Sequence, residues 1–584
     1  MTQIVLRPVR LSSLLRPYLW LAPALALVIA ASFWPLTYAV VQSFYRSNYL
    51  DLGTFVGMAN FQRFLLSPAG QARAWNSFVL VAGTLTVAMP LGFGLAILLD
   101  LPLKARSLIR TLLIVPWLVS NTVAALLWAW LLNAQFGPVA DGLRAVGIVM
   151  PNLLTSPTWA MPALILCNAW GAYPLVMVFT LSALQTIPKD VYEAARMDGA
   201  RRWQRFVNVT FPLVRNTTLV TMVLTNAALL QWRDDRPDHD RRRAARCHRR
   251  DGAARLRGGL QVPSHGARVR GRRDHLRDQH LLHDRLYARP QERARRMIPI
   301  RHRPRRRPGQ LSRAEQACAY AVLGIVLVFA LLPVFWGLVT SLKAPLDVHR
   351  MPPSWLPPAP TFANYEASVF DARFGRYLSN TLLVVFASLV LSTSLALHAA
   401  WATIRFRFAG REGLLLVMWA TIMIPGIAVI VPLYTASVDL GIYDTLFVLI
   451  LIYSAWLVPT LVWLLRGFIA AVPAELEESA RIDGCSRIGA FWRVTVPLLR
   501  PGLLAAGVLV FVMVWNEFLI GYSLTLSDGN RMIQVGIYYF MTETGVEYGP
   551  LTAAAIASIV PIAVLYALLQ RAFIQGLTGG AVKG

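Results

Sequence analysis

Lysine is almost missing from this 584-residue chain: Lys104, Lys189, Lys343 and Lys583 are all it has. None follows a glycine, so no Gly-x-x-x-x-Gly-Lys-Ser/Thr loop exists to cradle phosphates, and the chain is not itself an ATPase. Charge of either sign is scarce. Asp, Glu, Lys and Arg make up 15% of residues, against about a quarter in soluble proteins, which excludes an ordinary soluble domain. Four cysteines, Cys167, Cys247, Cys318 and Cys485, are too scattered for a disulfide framework or a metal site. The hydrophobic runs contain no cluster of histidine, cysteine and carboxylate, and His398, alone near a helix end, is more economically structural. No catalytic residue, metal ligand or bound cofactor is therefore expected.

What is present is apolar: 56% hydrophobic residues and a mean hydropathy of +0.50. Runs of roughly 20 residues, enough for a helix to cross about 30 Å of hydrocarbon, recur along both ends of the chain. They fall at 20–41, 78–99, 111–132 and 160–181, with a shorter run at 217–230, and then at 318–339, 381–402, 414–434, 444–465, 503–520 and 551–569. The expected fold is an all-α polytopic membrane protein made of two homologous bundles of about six helices, the first incomplete. The run at 20–41 is too long for a cleaved signal peptide and lacks its small-residue cleavage site. Arginines mark one side of the short loops: Arg7, Arg10 and Arg16, then Arg106 and Arg110, then Arg196, Arg201, Arg202 and Arg205, and in the second half Arg405, Arg407, Arg411, Arg481, Arg487 and Arg493. By the positive-inside rule this side is cytoplasmic, which puts the N-terminus in the cytoplasm of a multi-pass bacterial inner-membrane protein.

One stretch departs from this pattern. Residues 233–313 hold 26 Arg, no Lys and nine acidic residues, so 17 of the chain's formal charge of +27 sits there, together with seven of nine histidines. A nucleic-acid or anionic-lipid arm is one reading, but no aromatic or base-stacking pattern accompanies the arginines, and no nucleic-acid partner is expected. A disordered linker is the second. The third is preferred: the run starts inside a hydrophobic helix, just after Gln231-Trp232, and its Arg, His, Asp and Gly content is that of a shifted reading frame in GC-rich DNA. The distance from Trp232 to Met297 is about what a lost helix end, outer loop and sixth span require. The organisation expected is then a first domain at 1–232, an aberrant Arg/His-rich linker at 233–312 and a second domain at 313–584.

A repeat ties the two ends together. Glu193-Ala194-Ala195, Asp198-Gly199 and Pro212 return 285 positions later as Glu478-Ser479-Ala480, Asp483-Gly484 and Pro497. Around the first copy, 188–212 reads as a helix begun near Pro188 and ended at Gly199 in the left-handed conformation. A second amphipathic stretch follows, carrying Trp203, Phe206, Val207, Val209 and Phe211 and closed by Pro212. The second copy spans 473–497. Each is a compact hairpin on the cytoplasmic side, with small residues able to enter a cleft and acids able to meet a basic partner.

This pattern resembles the EAA loop of ATP-binding-cassette importer permeases. Arg110-Thr111-Leu112-Leu113-Ile114-Val115-Pro116-Trp117, Gln185-Thr186-Ile187-Pro188, Glu477-Glu478-Ser479-Ala480-Arg481-Ile482-Asp483-Gly484, Trp515-Asn516-Glu517-Phe518 and the tail from Gly576 resemble the carbohydrate-uptake branch. The resemblance implies two permeases in one chain and a separate ATPase dimer that binds the ATP and docks on both loops. It also implies a soluble solute-binding protein at the outer face and a carbohydrate that passes by alternating access. Ser479 replaces the middle alanine of the motif.

Because polar groups within a span face the bundle interior, Asn516 and Glu517, with Asn168, Trp170 and Tyr173 in the first half, are the expected lining of the substrate path, helix packing being the competing role. Gly92 and Gly94 are expected to permit close helix approach. Two other functions compete: an ion-coupled secondary transporter, disfavoured because buried carboxylates are scarce and the repeated element is cytoplasmic, and a nonfunctional fusion remnant of two permease genes.

Overall fold

The computed structural model describes residues 11–46, 53–231, 312–542 and 545–581. The Arg-rich stretch and the reading-frame break expected at Trp232 lie outside the described residues, apart from Ser312 and Arg313.

The described chain is built of helices. In the first half, α1 (Leu11–Val28) passes through a π turn, Ile29–Phe33, into α2 (Trp34–Gln42); then come α3 (Pro68–Asp100), α4 (Arg106–Leu118), α5 (Asn121–Leu131), α6 (Ala160–Gln185), α7 (Lys189–Met197) and α8 (Phe211–Gln231). In the second half, α9 (Arg313–Ser341), α10 (Ala372–Arg405), α11 (Arg411–Ile422), α12 (Gly426–Asp439), α13 (Leu446–Ala471), α14 (Ala474–Ile482), α15 (Arg500–Trp515), α16 (Leu519–Leu524) and α17 (Tyr548–Ala581) follow. The described strands are one two-residue pair, Met541–Thr542 with Gly545–Val546. Seven helices are long and apolar enough to cross a membrane, or up to ten when each of three bent pairs counts as one span; α8 takes the remaining expected position.

Two expected spans are not straight. The run at 111–132 divides into α4 and α5 with a 96° bend, and 414–434 divides into α11 and α12 with a 95° bend. Ser120 causes the first break: its hydroxyl accepts from Val123 N–H at 3.2 Å and caps a new helix. Pro425, extended at φ −65°, ψ 128°, occupies the cap position of α12. The run at 503–520 is cut short as well, because α15 ends at Trp515.

The second half opens on a capping box, Ser312 and Glu315 each satisfying the other's backbone N–H. Its first helix does not stay at home: α9 packs on α4 and α5 of the first half as well as on α17. Reciprocally, α1 packs on α10 and α13, and α2 on α12. Trp20 of α1 lies between His398 and Trp401 of α10, at ring separations of 5.2 and 4.9 Å. Polar bonds cross the same seam: Trp170 Nε1 donates to Ala330 O at 3.1 Å, Trp130 Nε1 to Thr340 Oγ1 at 3.3 Å and Ser120 Oγ to Gln534 Oε1 at 2.7 Å. Within the first half, a Cβ on Gly92 would lie 2.7 Å from Tyr173 O, so this glycine lets α3 and α6 meet. Gly94 has open space at its Cβ and has no such role.

Candidate functional site: paired loops and the seam between the halves

The two repeated motifs fold alike. Helix α7 ends when Gly199 turns left-handed at φ +75°, its N–H reaching Arg196 O while Ala200 N–H reaches Ala195 O, both at 3.0 Å. Helix α14 ends the same way: Gly484 has φ +94° and donates to Arg481 O, and Cys485 donates to Ala480 O at 2.9 Å. This is the Schellman arrangement, which a glycine enters without a Cβ penalty. Pro188 and Pro473 stand at the cap positions rather than inside the first turns.

The return limbs differ from the expectation. Pro212 does not close the amphipathic stretch: helix Arg202–Arg205 continues through a π turn, Phe206–Thr210, directly into α8. The matching turn, Phe491–Thr495, precedes Pro497. A proline lacks the N–H that an α ladder requires, and a wider turn just before it lets the helix continue. In the second half the chain then bends by 74° before α15. Pro501 in the first turn of α15 accounts for this, since the corresponding first-half position is Asn216.

Glu193, Ala194, Asp198 and Gly199 are exposed, as are Glu478, Ser479, Asp483 and Gly484; Ala195 and Ala480 are half-buried. None of the four acids pairs with a cation among the described residues. Beside them stand bulky apolar side chains: Met197 and Ile482, 285 positions apart, are 88% and 86% exposed, and Trp203 and Ile488 are 72% and 55% exposed. Burial, with the neighbouring cations Arg481 and Arg16, holds the Arg487 guanidinium below its usual range.

The neighbouring acid in the second motif does the opposite of Glu478. Glu477 is 8% exposed and points into the protein. Its Oε1 accepts from Arg405 Nε at 2.8 Å and Thr495 Oγ1 at 2.7 Å, and its Oε2 from Trp401 Nε1 at 3.2 Å. Sequence reading passed it over in favour of Glu478. Adjacent helical residues point about 100° apart, which lets Glu477 turn inward while Glu478 stays in solvent, but the spacing alone does not say which of the two is buried.

At the seam, Trp170 and Tyr173 are fully buried and spend their polar groups inside the protein, Tyr173 Oη donating to Leu113 O at 2.8 Å. Asn168 Nδ2 donates to Leu164 O in its own helix at 2.8 Å. Glu517 accepts from Tyr453 Oη at 2.5 Å and from the N–H groups of Ile520 and Gly521, which caps α16. Asn516 differs from these four. Its Nδ2 is 3.4 Å from Trp117 O in the other half, and its buried Oδ1 has no hydrogen-bond partner among the described residues.

A duplicated helical bundle with one exposed hairpin per copy is the architecture of a two-part membrane transporter. The sequence profile of the binding-protein-dependent transport system inner membrane component matches residues 88–232 and again 388–579, and the chain belongs to that family. The family is one of ABC-importer permeases, membrane transport components rather than enzymes. The chain resembles the sulfoquinovosyl glycerol transport system permease SmoH of Agrobacterium fabrum, with 35% identity over 45% of this chain and 93% of that protein. It is 36% identical to the diacetylchitobiose uptake system permease DasC of Streptomyces coelicolor, over 45% and 94%. With the trehalose transport system permease SugB of Mycobacterium tuberculosis the figures are 34%, 46% and 99%. Each relative therefore corresponds to about half of this chain.

Proposed function

We propose that this chain is the membrane-spanning pair of a carbohydrate importer, with both permease subunits carried on one polypeptide and driven by a separate ATPase dimer. The exposed, unpaired acids and apolar tips of the two loops carry the reading. Glu193 and Asp198, and their counterparts Glu478 and Asp483, pair with no cation among the described residues, and Met197 and Ile482 stand almost wholly in solvent at the ends of short helices. Large exposed apolar groups rimmed by charge are what a docking surface supplies. Each loop enters a cleft on one ATPase subunit, and closure of the dimer around ATP is passed to the helices behind the loops.

The loop side is cytoplasmic, in keeping with Arg16, Arg196, Arg201, Arg405, Arg411, Arg481 and Arg487 on that side, which leaves the opposite ends for a solute-binding protein. The carbohydrate class rests on the relatives' substrates. Of the five seam residues, Asn516 is the strongest candidate for substrate contact, because a buried acceptor without a partner is costly unless something else fills it. Trp170 and Tyr173 act by packing.

The test is to co-express the tagged chain with the importer-type ATPase and solute-binding protein of its source cell and ask whether the ATPase copurifies. Copurification that is lost in the double variant Glu193→Arg/Glu478→Arg supports the reading; a chain that purifies folded without any ATPase rules it out.

A further inference from the structure

The two loops are fixed to the membrane helices by different chemistry. In the second half, Trp401 and Arg405 lie one turn apart on the same face at the end of α10, and both donate to Glu477 of α14. Thr495, the last residue of the π turn, donates to the same carboxylate at 2.7 Å. Arg405 Nη2 also donates to Val472 O at 2.8 Å, between α13 and α14. Trp401 is 1% exposed and lies 5.0 Å from Phe491 in the π turn. One carboxylate thus holds α10, α14 and the return limb together, with α13 tied in through Arg405, in surroundings largely shielded from water.

The first half lacks the ions for this. Helix α3 ends at Asp100 and α10 at Arg405; α4 begins at Arg106 and α11 at Arg411; α5 begins at Asn121 and α12 at Gly426. The spacing is 305 in each case (405 − 100, 411 − 106, 426 − 121), so Ala96 and Asp100 stand where Trp401 and Arg405 stand. In the loop the spacing is 285, so Tyr192 stands at the place of Glu477 and Thr210 at that of Thr495. Only the last contact survives, as a hydroxyl pair, Tyr192 Oη to Thr210 Oγ1, at 3.2 Å. Asp100 is exposed.

We infer that Glu477 is the positioning residue that locks the second loop to α10, making this loop the stiff lever of the pair and the first loop the compliant one. The inference rests on the coupling role proposed above. A carboxylate with three donors, two of them from a helix that runs the length of the bundle, transmits displacement of α14 to the far end of α10. The one counterpart contact among the described residues, a hydroxyl pair that does not reach α3, lets α7 move while α3 stays.

The experiment uses the full chain with its copurified ATPase in lipid nanodiscs. Spin labels are attached at Phe370→Cys and Leu66→Cys, both 74% exposed and just ahead of α10 and α3, with the four native cysteines replaced. The probe is MgATP with vanadate, and the readout is the fraction of molecules in which the label distance shifts. Glu477→Gln is expected to lower that fraction about tenfold, the scale of a lost charge-assisted hydrogen bond, while ATPase copurification and basal hydrolysis hold within about twofold. Tyr192→Phe is expected to leave the fraction nearly unchanged.

An undiminished shift in Glu477→Gln overturns the inference, as does a parallel fall of assembly, hydrolysis and shift, which is the signature of mere structural damage. If Glu477→Gln does not fold, Thr495→Val, which spares the Arg405 pair, must still reduce the shift; no reduction overturns the inference. A wild-type chain that carries no ATPase removes the coupling reading and this inference with it, whereas an ATPase-bearing wild type that shows the shift leaves the coupling reading intact even if Glu477 proves idle.

Discussion

The loop of the first half and the loop of the second are alike in outline and unlike in attachment. Both end in a left-handed glycine, both return through a π turn closed by threonine, and both expose an acid and a bulky apolar tip. Behind that shared surface, one is fastened by Arg405, Trp401 and Thr495 around Glu477, whereas at the equivalent positions of the other the described residues show a pair of hydroxyls. Under the docking proposed above, both loops must fit like-shaped clefts, and it is the outer surface that this requirement holds alike. Nothing in that requirement constrains the inner surface, and there the copies have diverged.

The comparison can be broken most forcefully at Arg405. Arg405→Leu leaves Glu477 buried without its cation and is expected to cost about 3–5 kcal/mol, whereas Asp100→Leu at the equivalent exposed position is expected to stay within about 0.5 kcal/mol. Recovery of monodisperse chain after a temperature ramp reads both; equal losses would mean that the halves are held alike. A smaller effect tests what they share. Gly199→Val and Gly484→Val have open space around the new side chain, so each pays only for the left-handed backbone, about 1–2 kcal/mol. Both are expected to weaken ATPase copurification and transport to a similar degree while membrane insertion is unchanged; unaltered uptake in both variants would count against the coupling role. Smaller again is Ser120→Ala, which removes the bond to Gln534 across the seam and the cap of α5 and is expected to cost about 1 kcal/mol, seen as a modest fall in melting temperature. The smallest is Tyr192→Phe, with a loss of about 0.5 kcal/mol or less in the same assay.

Much of this was legible before any coordinates. Apolar run length located the spans, and the matched intervals from Glu to Gly to Pro located the loops and their glycine ends. What hydropathy cannot see is direction: α4 and α5 are each apolar enough to continue the other, and only the Ser120 cap turns the chain. The π turns were hidden for a related reason, since a one-residue widening leaves composition untouched. In the seam, residue type left two roles open, substrate contact and helix packing. Trp170 and Tyr173 suggest sugar stacking, but a ring with one polar tip serves equally well as a buried brace. For Glu517 the partner was out of sight, because the Tyr453 hydroxyl that holds it lies 64 positions away. Asn516 was legible as polar, though its unsatisfied oxygen was not.

The exchange of leading helices has a practical consequence for the covalent join. With α1 seated on α10 and α13, and α9 seated on α4 and α5, each half grips the other with its own first arm, like two hands clasped at the wrist. A clasp of that kind does not need a cord. Cleavage within 233–311 is expected to yield two fragments that migrate together through a sizing column in mild detergent, so the polypeptide bond between the halves secures their stoichiometry and synthesis, while the crossed helices secure their union.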